Sequence, residues 1–415
     1  MSWHRIIGIV LVWPLAAIAS EQPLSIEESV ALALANAPQV SAGAADVDGA
    51  QAASISAGRL PDPELIAGVD NLPVNTADRF SFTRDFMTMR RVGVMQSFPN
   101  RAKRRLQSER GEREVALAQA QLRSTRFETA RAAADAWIAS AVADRSLARL
   151  KALEPDVDMQ AVAARAGLAS GRASAADALT AQSMAIALKE RLLELRQESE
   201  MQRAELRRWI GADAARPLAE IPTDAELGHS PQALLASVAD HAPLAPMSAE
   251  LAVAQTEVEL ARSEKRPDWS AELSYARRGP DFSDMVSLEV RVGLPLFSAH
   301  RQNPVVAEKI ARLRSLEAGR DAALRMHSAE IESALAEWRA GRERLQLYQT
   351  DLIPLARDRS RTALASYGAG RTTLASVVDA LSRDIDTQLA YVQLEGAVAR
   401  TWTFLHFLHD AEVSK

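Results

Sequence analysis

The chain has 415 residues, a net charge of −5 and no cysteine, and 47% of it is hydrophobic although only 5% is aromatic. Without cysteine there are no disulfides, thiolate metal sites or cysteine nucleophiles, and the mild acidity gives no nucleic-acid footprint. The apolar content is largely Ala, Leu and Val, which suits long, closely packed helices better than an aromatic-rich core.

The first element in chain order is a secretory signal. His4 and Arg5 form a short basic start, residues 6–17 are an apolar run, and Ala17-Ile18-Ala19 is a small-x-small cleavage site. This predicts a signal peptide over 1–19 and a mature chain from Ser20. No later run of 18 apolar residues exists, so a mature chain that enters a membrane does so as strands.

The remainder repeats itself at an offset near 200. "LANAPQVSAGAADVDGAQAASISAGRLPDPEL" from Leu34 parallels "VADHAPLAPMSAELAVAQTEVELARSEKRPDWSAEL" from Val238. "RRVGVMQSF" parallels "VRVGLPLF"; Trp137, Pro155 and Gly171-Arg172 parallel Trp338, Pro354 and Gly370-Arg371. Two structurally equivalent halves follow, over 20–230 and 231–415. Each reads as helix, strand, strand, long helix, break, helix.

The strands are amphipathic with period two. Val286, Leu288, Val290, Val292, Leu294 and Leu296 alternate with Ser287, Glu289, Arg291, Gly293 and Pro295, predicting a strand over 286–296. Ala271, Leu273 and Tyr275 alternate with Ser270, Glu272 and Ser274; Leu65, Ala67, Val69, Val92 and Val94 extend the pattern. Two environments satisfy it: a soluble hairpin with one wet face, or a membrane strand whose polar face lines water. The helices are long. Residues 101–153 contain no proline, so about fifty residues span roughly 75 Å as helix. Leu324, Ile331, Leu335, Trp338 and Leu345 form a heptad-type seam. Four strands per chain cannot close a barrel with a usable interior, whereas three copies supply twelve.

Three stretches resemble the TolC-like outer-membrane efflux channel family in order, spacing and duplication: "LSIEESVALALANAPQV", "VGVMQSFPNRAKRRL" and "SYGAGRTTLASVVDA". "PDPELIAGVDNLPVN" and "FSFTRDFMTMRRVGVMQSFPN" look most like its heavy-metal-efflux branch, the copper/silver and cobalt/zinc/cadmium systems. The resemblance implies an α+β membrane protein with a helical coiled-coil periplasmic tunnel and a twelve-stranded barrel shared by a homotrimer. It implies no enzyme activity and no cofactor. The implied function is the passive exit duct of a tripartite pump, with a periplasmic adaptor and an inner-membrane RND-type transporter as partners and the outer-membrane lipid around its strands. The same architecture also serves drug efflux or type I protein secretion. A soluble periplasmic coiled-coil structural or adaptor protein is the alternative from another class.

Within the resemblance, Gly171, Arg172, Ser174, Gly370, Arg371, Thr372, Thr373 and Leu374 stand at two helical tips where an adaptor docks. Asp177, Asp379 and Tyr367 match positions of a periplasmic gate, with Ser376 where a further acid is expected. Val286, Leu288, Val290, Val292 and Leu294 are the lipid-facing strand. Ser20 and Glu21 occupy the place where many relatives carry a lipid-bearing cysteine. Met87, Met89, Met95 and Met285 lie in or beside strands, and thioether sulfur suits Cu(I), although Met also serves as apolar filler. His406 and His409 have a spacing that could hold a metal on a helix, without an evident third ligand.

Overall fold

The structure is a computed structural model and describes residues 22–171 and 173–408. The expected signal peptide, Ser20, Glu21, Arg172 and His409 lie outside the described residues.

Each half begins with helices that lead into a strand pair. In the first half these are α1 (Ile26–Asn36), α2 (Pro38–Ser56), β1 (Glu64–Asp70) and β2 (Met89–Phe98). Then come α3 (Arg101–Lys151), α4 (Glu154–Ala169) and α5 (Ala175–Ile210). The second half repeats the order with α6 (Pro231–Ala236), α7 (Ala245–Ser263), β3 (Trp269–Arg277) and β4 (Met285–Val292), then α8 (Gln302–Leu347), α9 (Ile353–Gly368) and α10 (Leu374–Phe407).

The helix starts follow local chemistry. Ser25, Asn100, Ser174, Ser230 and Thr373 are N-caps whose side chains accept backbone N–H groups of the first turn. With no proline to interrupt it, α3 runs 51 residues, about 75 Å. The two prolines that follow the long helices act differently. Pro155 lies in the first turn of α4, after a break at Ala152 and Leu153. Pro354 lies in the first turn of α9, which is joined to α8 by a π-turn over Tyr348–Leu352. A π-turn widens the backbone by one residue and absorbs the missing N–H without a full break.

The core runs along the helical trunk. α3 packs on α2, α5, α7 and α10, and α8 packs on α7 and α10. Its centre is Trp137, fully buried, with Nε1 donating to the Leu24 carbonyl at 3.0 Å. Ile331, Leu335 and Leu345 of the expected seam are buried, and Leu324 and Trp338 pack against the same cluster. Arg203 grips Asp144 and donates to the carbonyls of Ala214 and Arg216, closing the waist. Leu24 bridges to Leu218, so the start of the described chain is stitched into that waist.

One sheet of order β1-β2-β3-β4, antiparallel throughout, caps the trunk. β2 and β3 pair across the two halves, and β1 and β4 are its open edges. Asp268 pins its trunk end. Its carboxylate accepts from the Asn100 backbone at 2.7 Å and side chain at 3.0 Å, and its carbonyl accepts from Gly293 N–H at 2.9 Å. β4 ends at Val292, short of the expected 296. Gly293 turns its N–H to Asp268, and Pro295 has no N–H for a ladder. Leu294, expected in the lipid-facing strand, is therefore just past its end.

Candidate functional site: a sheet turned inside out and two helical tips

The register sorts the sheet's side chains into two faces. Leu65, Val92, Val94, Leu273, Tyr275, Val286, Leu288, Val290 and Val292 share one face. All are exposed, Leu288 at 72% and Leu273 at 57%. The opposite face holds Glu272, Ser274 and Ala276, all buried, with Glu272 only 3% exposed. A soluble hairpin buries its apolar face and wets its polar one; this sheet does the reverse.

The polar face is an ion-pair relay. Glu272 accepts from Arg91 Nη1 at 2.8 Å and from Arg291 Nη2 at 3.0 Å. Arg91 also reaches Asp70 at 3.0 Å, and Arg291 reaches Glu289 at 2.6 Å. A carboxylate shared by two guanidinium groups is held by charge-assisted bonds that persist where bulk water is partly excluded. Gly93 lets β2 approach this face closely, since a Cβ there would stand 2.6 Å from Ser274 Cβ. The apolar face is bounded by aromatics. Phe98 and Trp269 stack at 4.1 Å at the trunk end, and Phe80, Phe82 and Phe86 are exposed in the loop between β1 and β2. Aromatic girdles at both ends of an apolar band mark the water interfaces of membrane strands. Nine residues of β3 span about 26 Å. No helix among the described residues is long and apolar enough to cross a membrane.

The other end of the trunk has two hairpin tips. Gly171 and Gly370 carry φ of +69° and +68°, the left-handed conformation that ends a helix. Gly171 N–H bonds Leu168 O at 3.1 Å, and Gly370 N–H bonds Tyr367 O at 2.9 Å, the same closure in both halves. Ser174 and Thr373 then cap the returning helices. Arg371 and Thr373 are exposed and Thr372 is half-buried. Leu374 departs from the expected adaptor-contacting surface: at 2% exposure it fills the tip's own core with Val377, Leu381 and Ala181. Tyr367 packs against that cluster.

The gate residues are occupied locally. Asp177 closes a capping box with Ser174, accepting from its hydroxyl at 2.7 Å and its N–H at 3.1 Å. The Ser174 hydroxyl holds the Asp177 carboxyl below the usual carboxylate range, so it remains charged. Asp379 accepts from Arg383 Nε at 3.0 Å and from Arg359 Nη2 at 3.4 Å. Arg383 is four residues on, a spacing readable in sequence. Arg359 comes from α9, and only the fold brings it near. Ser376 lies beside Thr373, with hydroxyls 3.2 Å apart. The structure does not bring Asp177 and Asp379 into contact within one chain.

Metal-ligating candidates do not gather. No group of three His, Cys, Asp or Glu suited to a metal exists among the described residues. Met95 Sδ accepts from Arg291 at 3.4 Å, and His406 stacks on Trp402 with centroids 4.8 Å apart. Sequence reasoning missed a buried polar chain in which His327 Nε2 meets His241 Nδ1 at 3.2 Å and His327 Nδ1 meets Glu330 at 3.1 Å. The two histidines are 86 residues apart, and no local pattern connects them.

An inverted sheet on a long helical trunk defines a membrane-strand protein with an extended water-side body. The family model described as "Outer membrane efflux protein" matches residues 234–408. Among solved structures, the chain is similar to a membrane protein from Pseudomonas aeruginosa at 15% identity, covering 94% of this chain and 92% of that one, with a TM-score of 0.79. It is similar to the outer membrane protein VceC from Vibrio cholerae at 19% identity, 92% and 95% coverage and a TM-score of 0.76. It is also similar to CusC, solved in a study of its folding and transmembrane channel formation, at 16% identity, 92% and 91% coverage and a TM-score of 0.76. A search of curated proteins by sequence finds no match. The family match covers residues 234–408, and over nearly its whole length the chain shares the fold of these solved outer-membrane proteins.

Proposed function

We propose that the protein is the passive exit duct of a tripartite efflux pump, a homotrimer whose protomers each add four strands to one twelve-stranded outer-membrane barrel. The observation that carries this reading is the inverted sheet. Its apolar face needs a nonpolar solvent, while Arg91, Glu272, Arg291 and Glu289 need water or one another. Its edges, β1 and β4, need partners, because open strand edges cannot face lipid. In a closed trimer, β4 of one protomer pairs with β1 of the next.

The trunk then extends into the periplasm and ends at the tips, where the exposed Arg371 and Thr373 and the turn at Gly171 face a periplasmic adaptor joined to an inner-membrane RND-type transporter. Asp177, Asp379, Tyr367 and Ser376 line the entrance. Asp177 stays charged within its capping box, whereas Arg359 and Arg383 offset the charge of Asp379. Heavy-metal cations are the cargo we favour, supported by the likeness of "PDPELIAGVDNLPVN" to that branch.

The chain has no cysteine, so an introduced pair reports unambiguously. Leu65→Cys on β1 with Val290→Cys on β4 is expected to give a disulfide-linked trimer in the outer-membrane fraction. Recovery of the unmodified protein as a soluble periplasmic monomer would sink the reading.

A further inference from the structure

The loop end of the sheet carries a charge arrangement that passive conduction does not use. Arg90 of β2 stands directly opposite Arg277 of β3. By strand alternation both lie on the apolar face, in line with Val92, Val94, Leu273 and Tyr275, and both are exposed. Like charges directly opposed in a sheet repel. Nearby acids are engaged elsewhere: Asp70 bonds Arg91 on the opposite face, and Asp284 takes the Tyr275 hydroxyl. The Arg90 guanidinium donates to the Arg278 carbonyl at 3.0 Å. The Arg277 guanidinium makes no hydrogen bond or ion pair among the described residues.

Two guanidinium groups with donors to spare thus border an apolar belt, at the end of the strands remote from the trunk. A molecule that satisfies both features has hydrocarbon chains and an anionic head at the chain–head boundary. Guanidinium binds phosphate well because its planar fork donates to two oxygens at once.

We propose that Arg90 and Arg277 form a binding site for the phosphorylated headgroup of an outer-leaflet lipid, whose acyl chains lie along Val94, Leu273 and Leu288. This rests on the channel reading, which places the loop end outward and the apolar face in lipid. The repulsion between the two arginines is relieved when the phosphate bridges them, so the lipid also ties the two halves of the chain together at their shared β2–β3 seam.

The test is native mass spectrometry of the purified full-length protein released from detergent after incubation with diphosphorylated lipid A, with its dephosphorylated form, or with lipid A plus excess inorganic phosphate. The wild type is expected to retain diphosphorylated lipid A, and Arg90→Gln/Arg277→Gln to retain it about tenfold less well. Arg90→Lys/Arg277→Lys, which keeps the charge without the fork, is expected to fall between them. Equal retention by the Gln double variant, or equal retention of the dephosphorylated lipid, overturns the proposal. Displacement by inorganic phosphate at matched concentration makes the site one for free anions and overturns its lipid assignment. Membrane recovery and the Leu65→Cys/Val290→Cys cross-link are read on the same preparations. If these fail, the channel reading has failed; if they hold while lipid discrimination is absent, only this proposal has.

Discussion

At the scale of single residues, the trunk holds a carboxylate under tension. Burial pushes the Asp135 carboxyl above its ordinary range, although Arg131 and Arg400 pull it down. Its pKa in the folded chain therefore exceeds that in the unfolded chain. The folded state binds the extra proton as pH falls through that window, so the residue costs stability above it and stops doing so below. Asp135→Asn is expected to raise the thermal midpoint at pH 7.5 by an amount worth less than about 1 kcal/mol, since the site is half-buried. The gain should shrink as pH drops below the carboxylate's raised value. A midpoint that falls at both pH values would mean that Arg131 and Arg400 depend on the charge more than burial penalises it. Asp379 is an exposed acid between two arginines, and its pairing with Arg359 was invisible in sequence because twenty residues and a turn separate them.

Among elements, the strands were the most legible part and their environment the least. Period two located β3 and β4 from composition alone, and Gly293 and Pro295, both written in the chain, mark where β4 stops. Which face meets water could not be read from alternation, because apolar-in and apolar-out give the same string. Burial adds what alternation lacks, with Glu272 hidden and Leu288 bare. The helices were legible in extent from the absence of proline over 101–153, yet the differing responses to Pro155 and Pro354, one a break and the other a π-turn, were not. The tips were legible as turns through Gly171 and Gly370. Leu374 was misjudged because a capped helix start places its first apolar residue inward, against Val377. The lipid-facing assignment predicts that Leu288→Arg, at mid-strand, costs about 2 to 4 kcal/mol of membrane insertion. The check is loss of the heat-resistant oligomer on gels, while Ser287→Arg on the polar face should be tolerated. The reverse pattern would place water on the apolar side.

For the whole molecule, one order of helices and strands occurs twice along the described residues. Two copies of helix, hairpin strand and long helix are fused at the β2–β3 seam, and the trunk repeats the fusion where α3 and α8 each pack against α7 and α10. The offset of 199 between Gly171 and Gly370 aligns Ser174 with Thr373 and Asp177 with Ser376, so the two caps are the same device with a different third residue. An offset near 200 was readable from the repeated stretches. Long-range partners such as Arg145 with Glu395 at 2.9 Å, which lock one half on the other, needed the fold.

The open edges of the sheet also impose a clock. Until β1 and β4 find neighbours, a protomer displays unpaired backbone beside a broad apolar face, the arrangement most prone to misassociation. Leu24 can dock on Leu218 only after nearly two hundred residues have followed it, so each protomer completes its waist late. Under the proposed trimeric reading, productive assembly is a race between threefold encounter and aggregation, and both depend on abundance. Refolding into detergent micelles should give a trimer yield that rises with protein concentration, passes through a maximum and declines, whereas a yield independent of concentration would mean that the lone protomer already protects its edges. A cell using this protein is therefore expected to meter its export rather than merely its synthesis.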